Sequence, residues 1–134
     1  METAELISKL GAGKYEGSSV DVGVPYQNIP SMNVKAHRDR SDFRARRICE
    51  LVDFRGKTVL DLGCSVGTMS SVFRENGAWD VLGIDHDPDS IDLAKQLYPN
   101  ITFRMADISM ELLPPLPDFD IVVWTSQFMW MAKH

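Results

Sequence analysis

Acidic residues and glycines stand where the apolar, strand-like runs of this sequence end. Asp61, Gly63 and Gly67 lie at the end of the first run, Asp85 at the end of the second, and Asp107 just after the third. Glycine lets the backbone turn tightly and lets a ligand approach the main chain. A helix that begins after such a turn also offers free N–H groups. The pattern therefore indicates a ligand whose polar groups are bound by main-chain donors and carboxylates.

The acids at positions 85 and 107 suit a nucleoside. Asp85 follows Gly63 by about 20 residues, the separation at which an acid after the second strand of a nucleotide-binding unit bonds a ribose diol. The alternative is that Asp85 only caps the next helix, but Asp87 is better placed for that role. A carboxylate at Asp107 can accept a hydrogen bond from an adenine amino group. We therefore predict a ribose contact for Asp85 and an adenine contact for Asp107.

Apolar runs predict four strands, and residues at helical spacing predict the helices. The predicted strands are residues 58–62, 81–84, 101–105 and 119–124, and the predicted helices are residues 4–10, a helix capped by Ser41, residues 65–76, and a helix capped by Asp87. Strands that alternate with helices imply right-handed crossovers and a parallel sheet. In such a sheet, ligands bind beyond the carboxyl ends of the strands, where the strand order reverses.

Segments at the strand ends together resemble the motifs of class I (Rossmann-like) S-adenosylmethionine-dependent methyltransferases. Residues 59–67 resemble the first motif, 83–85 the acidic ribose motif, 105–108 the adenine motif, and 119–123 the fourth strand. The resemblance covers about residues 41–130 and rests on the order and spacing of these motifs. It implies S-adenosylmethionine as the cofactor and methyl transfer as the activity.

The resemblance also implies which residues hold the cofactor. The region of Asp61 and Gly63 would hold the methionine end, and Asp85 would bind the ribose hydroxyls. Asp107 would meet the adenine amino group, and the main-chain N–H of Ile108 would meet the ring edge. The full set of implied cofactor-binding residues is Asp61, Gly63, Cys64, Ser65, Gly67, Asp85, His86, Asp107 and Ile108. The side chains of His86 and Ile108 would flank the base, and the family often has glycine where Ser65 stands.

The family resemblance implies a three-layer α/β sandwich with parallel strands in the order 3-2-1-4. We interpret residues 1–40 as an irregular N-terminal extension or lid and residues 41–134 as the cofactor-binding domain. Members of the family have a seven-stranded sheet, and too few residues follow Trp124 for another helix and strand. We therefore expect the domain to be incomplete at its C-terminal end, as a fragment or a naturally short chain. Such a chain alone would be a poor enzyme, and its open fourth strand would promote self-association.

Composition narrows the partners and the compartment. The 134 residues carry a net charge of −5, which does not favour nucleic acid as a partner of the whole chain. No apolar run reaches the length of a membrane-spanning helix. Cys49 and Cys64 form neither a metal-ligand pair nor a disulfide framework, so we expect no metal site and a reducing, cytoplasmic setting.

Competing functions remain open at this stage. An NAD-dependent oxidoreductase would carry the spacing G-x-G-x-x-G, but Ser65 replaces the middle glycine. A non-catalytic S-adenosylmethionine-binding or interaction module is the nearer alternative. Residues 124–127 lack the Pro-Pro-Tyr and Pro-Cys signatures of nucleic-acid amino and cytosine methylation. This absence favours a small-molecule acceptor, with RNA or protein left open, and no general base can be assigned.

Overall fold

The structure, a computed structural model, describes residues 1–11, 27–34, 40–107 and 115–125. Its α-helices are α1 (Thr3–Gly11), α2 (Ser41–Leu51), α3 (Thr68–Glu75) and α4 (Pro88–Leu97), and its strands are β1 (Thr58–Leu62), β2 (Asp80–Asp85), β3 (Thr102–Met105) and β4 (Ile121–Trp124). Short 3-10 helices lie at Pro30–Met32 and Leu116–Asp118. Within the described ranges, no helix has both the length and the apolar character needed to cross a membrane.

The four strands form one parallel sheet in the order β3-β2-β1-β4. This order confirms the predicted Rossmann-like α/β fold. The chain first adds strands on one side of β1 and then returns to place β4 on the other side. The strand order therefore reverses between β1 and β4, and the carboxyl edge at this reversal is where ligands bind in open α/β sheets.

The starts of two predicted helices differ from the structure. Helix α3 begins at Thr68 rather than at Ser65, because Ser65 (φ 51°) and Gly67 (φ 87°) have left-handed backbones that a right-handed helix excludes. Ser41 is the first residue of α2 and not its cap, which is Arg40. The main-chain N–H of Ser41 donates to Asn28 Oδ1 at 3.2 Å, so a residue distant in sequence satisfies this helix end. Asp87 occupies the N-cap position of α4, as predicted, but its side chain makes no capping hydrogen bond to the main chain and instead accepts the hydroxyl of Ser90 at 2.6 Å.

The side chains of the sheet alternate between its two faces, as the strand period of two requires. Val59, Val81 and Phe103 pack on one face with residues of α2, α3 and α4. Leu60 and Ile84 pack on the other face. Asp61 follows Leu60 in β1, so its side chain points to the same face as that of Val59, which is the face that α3 and α4 cover.

Helix α1 packs against α4. Leu6 and Leu10 join a buried apolar cluster with Leu93 of α4. Thr3 Oγ1 donates to Gln96 Oε1 at 2.6 Å, and Lys9 Nζ lies 3.2 Å from a carboxylate oxygen of Asp89. The described N-terminal residues therefore pack onto the α/β unit through both apolar and polar contacts.

Phe103 on β3 requires glycine at two positions in neighbouring segments. A Cβ atom at Gly67 would lie 2.7 Å from Phe103 Cζ, and a Cβ atom at Gly83 would lie 2.6 Å from Phe103 Cδ1. Both distances are far below van der Waals contact. The phenyl ring therefore fills the space that the two missing side chains leave, and it joins β3 to β2 and to the start of α3.

We predict that Gly67→Ala destabilises the chain more than Gly56→Ala does. Both glycines have a positive φ, so alanine at either position incurs a comparable backbone cost of about 1–2 kcal/mol. Only Gly67 adds a clash with Phe103, because nothing lies within 4 Å of a Cβ atom at Gly56. Overpacking of this kind costs about 1–3 kcal/mol. Urea unfolding measures the difference, and equal losses in the two variants would contradict this account of Phe103.

Candidate functional site

The turn between β1 and α3 is held by the last residues of β2. The carbonyl oxygen of Ile84 accepts hydrogen bonds from the main-chain N–H of Gly63 at 2.8 Å and of Cys64 at 3.0 Å. Gly63 has a φ of 75°, in the region where only glycine is free of steric cost. Ser65 also has a positive φ, at the position where the family often has glycine. A left-handed backbone at a non-glycine residue costs about 1–2 kcal/mol, which this turn sustains.

The carboxylate of Asp85 joins the turn to the start of α4. Its Oδ2 accepts the main-chain N–H of Ser65 at 2.9 Å, and its Oδ1 accepts that of Asp87 at 3.0 Å. The residue is 7% exposed. Each carboxylate oxygen has two lone pairs, so these contacts leave acceptor capacity for ligand hydroxyls. The two roles weighed for Asp85, ribose contact and support of the next helix, are therefore compatible.

Asp61 is a buried carboxylate, 2% exposed, at the end of β1. Ser70 Oγ on α3 donates to its Oδ2 at 2.6 Å. Burial raises the pKa of Asp61 to about 7, and the charge of Asp85 acts in the same direction, while the hydrogen bond from Ser70 opposes them. No cation of the described residues is paired with this carboxylate. A cationic ligand group would therefore find an acceptor here that the described residues leave without a counter-charge.

The thiol of Cys64 lies beneath the turn and is fully buried. Burial raises the pKa of this thiol well above its usual value, and the nearby Asp61 and Asp85 raise it further. The protonated form is thus favoured, which argues against a nucleophilic role. Cys64 can contribute to a ligand site only through its main chain. Among the described residues, no group of His, Cys, Asp and Glu side chains is arranged to hold a metal ion.

The structure places His86 and Asp107 at the same edge of the sheet. The side chain of His86 is 54% exposed, and its Nδ1 lies 3.5 Å from Asp85 Oδ1. Asp107 is half-buried and follows β3. The main-chain N–H of Ala106 donates to the carbonyl oxygen of Asp85 at 3.0 Å, which keeps the end of β3 beside that of β2. Ile108 lies outside the described residues.

Polar residues that the sequence did not single out support the turn from two directions. The main-chain N–H of Thr68, the first residue of α3, donates to Gln27 Oε1 at 3.3 Å, and Thr68 Oγ1 donates to the carbonyl oxygen of Asn28 at 2.5 Å. Ser70 supports Asp61 as described above. These pairs are distant in sequence or placed on a buried helix face, so no local motif marks them.

A known protein family matches most of the α/β unit. The model of a family described as the methyltransferase domain matches residues 59–134. The match begins in β1 and includes the glycine turn, Asp85 and Asp107. It covers more than half of the chain.

Individual proteins agree with that family. The chain is 34% identical to protein 235L of Invertebrate iridescent virus 6 over 113 residues. The alignment covers 78% of this chain and 41% of that protein. It is 34% identical to a solved TehB-like S-adenosylmethionine-dependent methyltransferase from Corynebacterium glutamicum, with a TM-score of 0.58 over 68% of this chain and 47% of that one. A solved structure of WbdD matches 98% of this chain with 25% identity and a TM-score of 0.73.

The chain is shorter than each of these proteins. It spans 41% of protein 235L, 47% of the TehB-like methyltransferase and 30% of WbdD. The similarity to WbdD extends over nearly the whole chain, so the match there is not confined to the segment of the family motifs. The comparisons therefore bear on the fold of the described residues and on the motif-bearing edge of their sheet.

We predict that Asp61→Asn removes a pH dependence of stability from the chain. The folded chain retains a proton on Asp61 up to about pH 7, whereas the unfolded chain loses it near pH 3.8. Because the folded-state pKa is raised, the contribution of this proton to the free energy of unfolding is complete below pH 3.8 and is lost as the pH rises to about 7. At pH 8 the uncharged asparagine avoids the buried charge and should stabilise the chain by on the order of 4 kcal/mol.

Urea unfolding between about pH 4 and pH 8 gives the difference between the wild-type and Asp61→Asn curves, which isolates Asp61 from the other titrating groups. Asp80→Asn is the matched control, since Asp80 is an exposed aspartate at the opposite end of β2. Its curve should run parallel to that of the wild type. A difference curve for Asp61→Asn that is flat over this range would refute the buried, proton-retaining state of Asp61.

Proposed function

The chain belongs to the class I S-adenosylmethionine-dependent methyltransferase family, and from this premise we propose that it binds S-adenosylmethionine at the carboxyl edge of its sheet for methyl transfer to a small-molecule acceptor. Membership of the family implies the cofactor. The observation that carries the proposal is the order of polar groups along that edge: the glycine turn after β1, Asp85 at the end of β2 and Asp107 after β3. Three adjacent strand ends thus offer groups for the three parts of one elongated cofactor.

The methionine end of the cofactor fits the turn after β1. Its ammonium group is a cation, and the carboxylate of Asp61 is buried there with a hydroxyl donor as its neighbour. Gly63 and Gly67 carry no side chain that would shield the main chain. Cys64 and Ser65 would contribute the backbone of this turn, whose N–H groups donate to the carbonyl oxygen of Ile84 and to Asp85.

The nucleoside part fits the ends of β2 and β3. Asp85 accepts the ribose hydroxyls with the lone pairs that its two main-chain donors leave available. Asp107 accepts the adenine amino group. His86, with an exposed imidazole, flanks the base on one side. Ile108 would flank the other side and donate its main-chain N–H, a role that stays a prediction because the residue lies outside the described ranges.

The protein contributes position more than chemistry in this proposal. The bound cofactor supplies an electrophilic methyl group on a positively charged sulfur. The turn, Asp61 and Asp85 fix both ends of the cofactor, and fixing the reactants in register is itself a large source of rate enhancement. We assign no general base. The exposed end of the site is where the acceptor would approach.

The acceptor, the N-terminal region and the compartment belong to the same proposal. The absence of a Pro-Pro-Tyr or Pro-Cys sequence after β4 supports a small molecule over DNA bases, and an RNA or protein acceptor is an outcome that an acceptor screen would detect. Residues 1–40 would act as a lid over the site. Cys49 and Cys64 are both free thiols, which supports a reducing, cytoplasmic location.

We predict that S-adenosylmethionine and its demethylated product bind the chain more tightly than NAD does, as measured by calorimetry. Asp85→Ala should weaken cofactor binding by about 2 kcal/mol, the scale of a lost hydrogen bond to a charged group. Asp80→Ala is the control and should leave binding unchanged, since Asp80 lies at the opposite end of the same strand. NAD binding as tight as that of S-adenosylmethionine would overturn the proposal. Transfer of labelled methyl to an acceptor panel then separates an enzyme from a non-catalytic binding module.

We also predict self-association through β4. This strand lies at the edge of the described sheet, and Val122 and Trp124 are 39% and 44% exposed. Exposed apolar edge strands pair with other chains, and a lysine on the edge blocks such pairing. Analytical ultracentrifugation of the chain should show dimers or larger species that Val122→Lys reduces. Trp79→Lys, at an exposed aromatic outside β4, should leave them. A wild-type chain that stays monomeric when concentrated would contradict this prediction.

A further inference from the structure

A buried serine and a buried aspartate face each other between β1 and α3. Ser70 is 0% exposed and Asp61 is 2% exposed, and Ser70 Oγ donates to Asp61 Oδ2 at 2.6 Å. Ser70 lies in the first turn of α3, directly behind the glycine turn. A short hydrogen bond from a hydroxyl to a carboxylate is among the stronger polar contacts in proteins. This bond fixes the orientation of a carboxylate that no other side chain among the described residues holds.

We propose that Ser70 is a positioning residue, which orients the Asp61 carboxylate towards the cofactor's ammonium group. The inference rests on the proposed function. It adds a residue that neither the glycine turn nor the acids at the strand ends identify. The hydroxyl of Ser70 donates to the Asp61 carboxylate from α3, so Ser70 acts on the cofactor through Asp61.

The surroundings of Asp61 make this hydrogen bond consequential. Asp85 at the end of β2 places a second negative charge nearby, with His86 beside it, and Cys64 in the turn offers a thiol that burial keeps protonated. On the side of α3, the facing group is the hydroxyl of Ser70. Within the described part of the chain, Ser70 is thus the one group that favours the ionised form of Asp61.

Binding of an ammonium group requires the ionised carboxylate. Burial raises the pKa of Asp61 to about 7, and the hydroxyl of Ser70 lowers it. Affinity for S-adenosylmethionine therefore falls as the pH drops below the pKa of Asp61. Without the hydroxyl this decline begins at a higher pH, by about one pH unit, because a hydrogen bond to a charged group has the free energy of one to two pKa units.

The test compares two ligands by calorimetry from about pH 5 to about pH 9. S-adenosylmethionine carries the ammonium group, whereas 5′-methylthioadenosine keeps the nucleoside and lacks the amino-acid end. For S-adenosylmethionine, Ser70→Ala should move the low-pH decline in affinity upward by about one pH unit, which is about a tenfold loss below that range. For 5′-methylthioadenosine, affinity should be the same in the wild type and the variant. The amino group of the free cofactor titrates identically whether the wild type or a variant is tested, so its effect cancels when their pH profiles are compared.

Ser71→Ala is the matched control. Ser71 is the next residue of α3, and its hydroxyl donates to the carbonyl oxygen of Thr68 rather than to Asp61. It should keep the wild-type pH profile. Ser70→Cys is a second variant, for use if Ser70→Ala does not fold. It keeps a side chain of similar size with a weaker donor, so it should shift the pH profile in the same direction as Ser70→Ala.

The outcomes separate the two proposals. A wild-type chain that binds neither ligand overturns the proposed function and this inference with it. A wild-type chain that binds both ligands, with one pH profile shared by the wild type, Ser70→Ala and Ser70→Cys, overturns the role of Ser70 and leaves the proposed function standing. Equal losses for both ligands in the Ser70 variants would mean a general structural role and would likewise overturn the inference.

Discussion

The end of β2 holds the turn after β1 in place. The carbonyl oxygen of Ile84 accepts two main-chain N–H groups of the turn, and the carboxylate of Asp85 accepts that of Ser65 and that of Asp87. These contacts need the parallel register in which Leu62 lies beside Ile84. A shift of one residue would move both acceptors away from the turn and would reverse the face of every side chain. The candidate site is therefore a consequence of how two neighbouring strands align.

The same arrangement places two carboxylates in a region with little solvent. Asp61 and Asp85 are 2% and 7% exposed, and the charge of Asp85 disfavours the charged form of Asp61. The main chain of the turn and the start of α4 offsets this cost at Asp85 by donating two hydrogen bonds. Asp61 has the hydroxyl of Ser70, a weaker compensation for a full charge. The free chain thus holds an unfavourable site whose charge a cationic ligand would balance, as binding sites that trade stability for function do.

The strands and the position of the glycine turn could be predicted from the local sequence pattern, but the hydrogen bonds that support the turn could not. The apolar runs marked all four strands, and the glycine turn and Asp85 stood at the strand ends because parallel sheets place ligands there. The predicted start of α3 was three residues too early. The sequence pattern does not distinguish residues 65–67 from the helix that follows, and only the left-handed backbone at Ser65 and Gly67 excludes them from it. Ser70 gave no signal, because a serine beside apolar helix residues looks the same whether or not a carboxylate lies opposite. Gln27 and Thr68 meet across 41 positions, a separation that no periodicity records.

Gln27 and Asn28 accept hydrogen bonds at the start of α3, where the glycine turn leaves the helix without a capping side chain. The turn requires glycine before α3, because any Cβ atom at Gly67 would meet Phe103. A glycine at the cap position has no side chain to accept the N–H groups that a helix start leaves unsatisfied. Gln27 Oε1 accepts one of them, the main-chain N–H of Thr68, and the carbonyl oxygen of Asn28 accepts the hydroxyl of Thr68. Asn28 also bonds Ser41 at the start of α2, so one short segment completes the ends of two helices. The segment is therefore part of what shapes the turn, whatever further role the N-terminal region has over the site.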